Sequence, residues 1–278
     1  MEGKIIDTCA QVGKVCEIQY TQHRGHATEL AKEAAKAGFP VVFAMGGDGT
    51  VNEVAQGLVH SSTALGILPK GSGNGLARHL GIPLDFSQAI ELIRSGETYA
   101  MDTFLVNGRL SVNVSGIGFD GHVAGMFGQK SKRGLLGYTK LVLQEFRSFP
   151  EFTVTLQHDQ QTTIRSAFVI ALANSSQFGN NAKVAPLASV RDQLIDICLI
   201  RKLPLRDAPL FLARLFSGTA HESIYTETIQ AQTAIISTQQ PIAYHIDGEP
   251  FPPIQQLTVA IQPLSLHVVL PTAHKKKI

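Results

Sequence analysis

Apolar residues recur along this chain with two different periods. In its first part, strand-like and helix-like runs alternate. Val15 to Tyr20 alternates apolar and polar side chains, which predicts a strand. His26 to Ala37 is rich in alanine, with Leu30, Ala31, Ala34 and Ala35 at helical spacing and Gly38 as a stop. Val41 to Met45 is apolar without interruption, as in a parallel strand covered on both faces. Beyond it, Val51, Val54, Ala55 and Leu58 share one helical face. The plan repeats from Leu65 to Pro69 into the segment at Leu76, and Phe86 to Ser95 predicts a further short helix. This order predicts βαβ units with ligand loops at the carboxyl ends of the strands.

After about Met101 the period changes to two. Leu110–Val114, Phe152–Leu156, Ile164–Ala171, Leu194–Ile200, Ala234–Ser237, Leu257–Ile261 and Leu266–Leu270 read as short strands separated by turn residues. Helix-like insertions fall at Tyr138–Phe149 and around Leu210–Phe216. The expected architecture is α/β followed by all-β. A doubly wound α/β nucleotide-binding domain spans residues 1–103, residues 262–278 return to it, and a β-sandwich spans residues 104–261.

Composition narrows the classes. At 278 residues, 44% hydrophobic and 17% charged, the chain can bury a large core and is not disordered. A net charge of +2 argues against nucleic acid as a partner. The charge run Lys275-Lys276-Lys277 reads as a solvated tail or as a contact with anionic lipid. Cys9, Cys16 and Cys198 have neither zinc-site nor disulfide-framework spacing, so a reducing cytoplasm is expected. No apolar run reaches the roughly 18 residues that span a bilayer.

Two glycine-rich loops carry the chemistry. Gly46-Gly47-Asp48-Gly49-Thr50 follows the first apolar run and leads into Val51-Asn52-Glu53. Gly71-Ser72-Gly73-Asn74-Gly75 follows the second and leads into Leu76-Ala77-Arg78. Each puts backbone N–H groups at the positive end of a helix, where phosphate oxygens are stabilised. An aspartate inside such a turn implies a divalent cation or a transferring group beside the phosphates. Taken alone, the first loop also fits phosphofructokinases, NAD kinases or a purely structural βα turn.

Taken together, these motifs resemble the diacylglycerol kinase catalytic family, which includes bacterial diacylglycerol kinases, phosphatidylglycerol kinases and sphingosine kinases. Asn113-x-Ser115-Gly116-Ile117-Gly118-Phe119-Asp120, the segment from Asn174 to Pro186, and Asp247-Gly248-Glu249 are similar to later family blocks, so nearly the whole chain is covered. The resemblance implies an NAD-kinase- and phosphofructokinase-like first domain and transfer of the γ-phosphoryl of ATP to a lipid hydroxyl, with Mg²⁺. It implies that Gly46, Gly47, Asp48, Gly49, Thr50 and Asn52 hold the nucleotide, with Thr21 upstream and Gly71, Ser72 and Asn74 in the second loop. Asp48 and Asp102 would organise Mg²⁺, Arg78 would offset charge on the phosphoryl group, and Glu249 would act as general base. A structural Mg²⁺ would take the Asp192 side chain with the carbonyls of Ser189 and Leu194. Gln193 stands where a glycine is usual, which predicts a strained turn.

Two departures stand out. Gly75 replaces the aspartate common in bacterial diacylglycerol kinases; sphingosine kinases also carry Gly-Ser-Gly-Asn without an aspartate. The Asn-Pro-x-x-Gly loop that opens the family's fold is absent, since Met1-Glu2-Gly3-Lys4 runs into a helix-like segment. Either the chain lacks its true start or the nucleotide site lacks one wall. For lipid access, Tyr138, Leu141, Val142, Phe146 and Phe149 form an apolar stripe flanked by Lys130, Lys132, Arg133 and Lys140. The stripe fits a peripheral contact with the inner membrane face or packing on the chain's own sandwich. The rival functions are an NAD kinase and a nucleotide- or lipid-binding regulator without catalysis. The acceptor lipid and the oligomeric state leave no mark, so a homodimer stays open.

Overall fold

The computed structural model describes residues 1–128 and 144–272. The chain forms two compact units. One comprises Met1–Thr103, Val190–Asp192 and the stretch from Pro263; the other comprises Phe104–Ser189 and Gln193–Gln262.

The first unit contains α1 (Glu2–Gln11), α2 (His26–Lys36), β1 (Val41–Gly46), α3 (Asp48–Leu58), β2 (Ala64–Pro69) and the short helices α4 (Gly75–His79), α5 (Phe86–Ala89) and α6 (Leu92–Ser95). β1 and β2 run parallel, from Val41 opposite Ala64 to Gly46 opposite Pro69. Near the end of the long strand β12 (Glu249–Leu270), Val268 pairs in parallel with Leu65 of β2. Val51, Val54, Ala55 and Leu58 are the buried face of α3, as their spacing predicts. α2 ends where Gly38 turns left-handed at φ +79, and the amides of Gly38 and Phe39 each donate over 3.1 Å to the carbonyls of Ala35 and Ala34.

Two expectations fail here. Val15–Tyr20 is not a strand: Cys16 packs on the cluster of Cys9, Ile90 and Ile93, but the segment pairs with no strand among the described residues, and Val15 is 96% and Tyr20 66% exposed. Phe86–Ser95 is not one helix but two single turns, α5 and α6, with Ile90 and Glu91 between them.

The second unit is antiparallel. β3 (Glu97–Val106) enters it and turns back into β4 (Arg109–Ser111). β5 (Val114–Gly118) is followed by α7 (Phe119–Gly128), β6 (Phe152–His158), β7 (Gln161–Ala167), β8 (Val169–Ala173) and β9 (Ile195–Ile200). Then come α8 (Ala208–Ser217), β10 (Thr226–Ala231), β11 (Thr233–Ile246) and β12. β11 pairs with β5, β6 and β12, and β8 joins β5 to β9. Phe104, Ile117, Leu156, Ile170, Ile236 and Leu257 sit in the buried core of this unit. Leu110–Val114 resolves into two strands, and Ile164–Ala171 breaks at Phe168. Leu257–Ile261 and Leu266–Leu270 belong to one strand, β12. α7 and β10 are elements the apolar periodicity does not announce.

Most of the apolar stripe at 138–149 and its lysines and arginine, together with Lys275-Lys276-Lys277, lie outside the described residues. Phe146 and Phe149 are described, and they pack inward. Their rings stand 5.0 and 5.7 Å from Phe168 and each 5.8 Å from Phe119. For these two side chains the packing reading holds.

The turn after Asp192 passes through Gln193 at φ +62, the left-handed region that costs a side-chain-bearing residue about 1–2 kcal/mol. Gln193→Gly removes that strain at some cost in unfolded-chain entropy. We expect it to raise the melting temperature by roughly 1–3 °C, a gain of up to about 1 kcal/mol. Calorimetry checks this, and a lower melting temperature would show that the glutamine side chain does more for the fold than the turn costs.

Candidate active site

The two glycine loops meet backbone to backbone. A Cβ on Gly71 would stand 2.5 Å from Gly47 Cα, and one on Gly47 would stand 3.2 Å from Gly71 Cα. No side chain fits at Gly71 while the loops hold this position. The amide of Lys70 donates over 2.8 Å to the Gly46 carbonyl and aligns the two strand ends. Asp48 is the first residue of α3, with Gly47 as its N-cap. The amides at the start of a helix have no intrahelical acceptor, so this end can receive an anion. Gly49 and Thr50 lie in that first turn, and nothing lies within 4 Å of where a Gly49 Cβ would be.

Asp48 Oδ1 accepts the Gly75 amide at 2.7 Å, so the carboxylate on one loop clasps the backbone of the other. Any residue but proline would offer that amide at position 75; the glycine leaves Asp48 without a second carboxylate beside the contact. Asn74 closes the second loop on itself. Its Oδ1 accepts the Gly71 amide at 3.0 Å, its Nδ2 donates to the Gly71 carbonyl at 2.7 Å, and its backbone is left-handed at φ +49. Arg78 Nε donates to the Gly73 carbonyl at 3.0 Å, tying the guanidinium to the same loop. Ser72 is exposed at the loop tip. Asn52 is buried on α3, and its Oδ1 accepts Gln56 Nε2 at 2.6 Å.

Other expected residues lie elsewhere in the first unit. Thr21 sits in the exposed connection ahead of α2. Asp102 is fully buried; its Oδ1 accepts the Leu264 amide at 2.7 Å, and its own amide donates to Val190 at 2.6 Å. Leu264 stands at φ +47, an unusual backbone for leucine that this hydrogen bond stabilises. Asp192 belongs to this unit, whereas Ser189 and Leu194, which flank it in the chain, belong to the other.

Glu249 begins β12 in the second unit. Asp247 and Gly248, at φ +46 and +87, form the two-residue turn that joins Ile246 to its partner Glu249, as Asp-Gly favours. The Asp247 carboxylate is a structural hub. It accepts Ser111 Oγ at 2.6 Å, the Val112 amide at 2.8 Å and the Asn113 amide at 3.2 Å. Beneath it Ser115 Oγ donates to Ser111 Oγ at 2.9 Å, and the Asn174 amide donates to the Asn113 carbonyl at 3.0 Å. Glu249 thus stands exposed on a turn whose backbone is fixed by its neighbour.

Sequence reasoning missed His245 here and named Asp120 only as the end of a family block, with no role. The His245 Nδ1 accepts the Gly248 amide at 3.1 Å, which leaves the ring proton on Nε2, 3.4 Å from Asp120 Oδ2. The two groups lie close without a formed hydrogen bond, and Asp120 Oδ2 is buried. A Cβ on Gly116 would collide with both, at 1.7 Å from Asp120 Oδ2 and 2.6 Å from His245 Nε2. The available signal was the Ser-Gly-x-Gly-x-Asp spacing from Ser115 to Asp120. Among the described residues, His23, His26 and Glu29 bring ligand atoms within 4.8 Å of one another. His26 Nδ1 already accepts the Gln22 amide, so in the neutral ring Nε2 holds the proton and is not poised to bind metal.

Two outcomes follow from this geometry. Gly71→Ala should cost about 1–3 kcal/mol through overpacking, while Gly49→Ala, in open space within a helix, should leave stability unchanged or slightly raised. Equal melting temperatures for the two variants would contradict the loop contact. Burial pushes the His79 imidazole down to about 4 from 6.5. The unfolded chain therefore takes up the proton first as pH falls. Its contribution is complete above about 6.5 and is lost as pH drops toward 4. Across that window the wild-type melting temperature should fall more steeply than that of His79→Gln, as thermal scans at stepped pH would show.

Comparison with known proteins accords with this geometry. Residues 2–106 match the diacylglycerol kinase catalytic domain, and residues 113–270 match the YegS C-terminal NAD kinase beta sandwich-like domain. The chain is 27% identical over 247 residues to a probable lipid kinase YegS-like protein of Chromohalobacter salexigens, covering 86% of this chain and 79% of that one. It is 26% identical over 252 residues to a diacylglycerol kinase of Bacillus subtilis, covering 89% and 83%. A crystal structure of a putative diacylglycerol kinase from Bacillus anthracis shares the fold at TM-score 0.79 and 23% identity, over 98% of this chain and 91% of that one. An NAD kinase from Archaeoglobus fulgidus, solved with ATP, is a more distant match at TM-score 0.55 and 12% identity, over 100% and 92%. With the sandwich match alone spanning more than half of its length, the chain belongs to the diacylglycerol kinase and YegS-like lipid kinases.

Proposed function

We propose that this kinase uses ATP and Mg²⁺ to phosphorylate the hydroxyl of a diacylglycerol-like lipid. The observation that carries the reading is the clasp of the two glycine loops, with Asp48 bound to the Gly75 amide at the N-terminus of α3. Backbone amides of Gly47, Gly49 and Thr50 would bind phosphate oxygens, and Ser72 and Asn74 would complete the second loop. The half-exposed Asp48 carboxylate is a hard oxygen donor of the kind Mg²⁺ prefers. When bound, the ion would neutralise phosphate charge. Arg78 lies where it would offset charge on the same groups. Asp102, buried against the Leu264 amide, enters this reading as a brace of β3 on β12 rather than as a direct ligand. Glu249 would accept the hydroxyl proton from a turn that Asp247 keeps rigid.

Phosphoryl transfer relies mainly on positioning and charge neutralisation, so the two carboxylates should differ. Asp48→Asn keeps an oxygen for the Gly75 amide and removes only the charge. It should lower kcat about 10²–10³-fold, and Glu249→Gln about 10–10²-fold. Labelled ATP offered with diacylglycerol, phosphatidylglycerol, a sphingoid base and NAD measures both the acceptor and the ranking. A larger loss at Glu249, or turnover on NAD alone, would overturn the assignment.

A further inference from the structure

Apolar surface is concentrated on α8, and the described residues leave much of it uncovered. The sequence Ala208-Pro209-Leu210-Phe211-Leu212-Ala213-Arg214-Leu215-Phe216-Ser217 is apolar except for Arg214 and Ser217, yet none of its residues is buried. Phe211 and Leu215 pack against the cluster of Val114, Ala171, Val184 and Cys198. That leaves Leu210, Leu212 and Phe216 exposed at 62, 51 and 54%, with Leu205 just ahead of the helix at 43%. The Lys183 amide donates to the Leu215 carbonyl at 2.9 Å, which brings the loop bearing Leu187, 71% exposed, against the same helix. A contiguous exposed apolar patch of this kind marks a contact with protein or with lipid.

We propose that α8 and the adjoining 183–187 loop dock this kinase on an anionic bilayer. The charges around the patch select that occupant. Arg214 lies on the helix itself, Lys183 Cδ would stand 3.1 Å from a Cβ on Gly218 at the helix end, and Arg206 just ahead of the helix is 84% exposed, 3.8 Å from Asp207, which the Tyr225 hydroxyl also engages at 2.5 Å. A two-fold dimer through the patch would set these cations against their own copies. An anionic lipid surface neutralises them while the leucines and Phe216 enter the acyl boundary. The choice of bilayer rests on the lipid-kinase reading; the proposed contact differs from the 138–149 stripe.

The chain has no tryptophan, so Phe216→Trp places a single reporter on the patch. With phosphatidylcholine vesicles containing phosphatidylglycerol, its emission should shift to shorter wavelength. The shift should be absent with phosphatidylcholine alone and should weaken as salt rises. Leu212→Glu with Phe216→Glu, both at exposed positions, should lower partitioning in vesicle sedimentation by about tenfold or more. Circular dichroism and melting of that variant confirm that it folds. Vesicle binding without a tryptophan shift, or no binding at all, overturns the proposal. A shift that grows with protein concentration in the absence of vesicles assigns the patch to a second copy and also overturns it. Because these readouts need no ATP, a failed kinase assay would leave them standing, and failed docking would leave micellar kinase activity standing.

Discussion

The close approach of Gly47 to Gly71 governs the glycine loops of the first unit. Two strand ends can deliver their loops to one point only if neither backbone carries a side chain there. Once they touch, the rest is short-range chemistry. Asp48 reaches the Gly75 amide, Asn74 folds back on Gly71, and Arg78 reaches the Gly73 carbonyl. Each hydrogen bond is modest by itself, on the order of 1 kcal/mol. Together they convert two mobile loop types into a rigid surface of amides. Preorganisation of that kind lowers the cost of gathering phosphate charge.

The sandwich unit uses a different device. A buried network of Ser111, Asn113, Ser115 and Asn174 rises from the core to the Asp247 carboxylate, which ends it. Neighbouring carboxylates on one turn thereby take separate tasks. Asp247 is consumed by the fold, and Glu249 is presented at the surface. His245 adds a second hold on the turn through the Gly248 amide.

Much of the first unit was legible because its signals are local. Helical spacing from Val51 to Leu58, the glycine after α2 and the apolar runs of β1 and β2 act over a few residues, and each produced its element. Val15 to Tyr20 carries a strand pattern just as clear, but a strand needs a partner, and pairing is not written in one segment. β12 misleads for the opposite reason. Pro252 and Pro253 look like a break, yet they fall where the register with β11 shifts between Ile242 and Tyr244, so the missing donors cost the ladder little. The motif residues could be named from sequence, but not their engagements. That Asp102 would be sealed under Leu264, or that Asp120 and His245 would meet over Gly116, depends on strands far apart in the chain.

The glycine at position 75 has a wider meaning. An aspartate at this position would add a second negative group near Asp48, and like charges at close range repel. This chain brings one anion to the same place and answers it with its own backbone dipole. The join between its loops is therefore made within the chain itself, and at position 75 only proline would take the donor away.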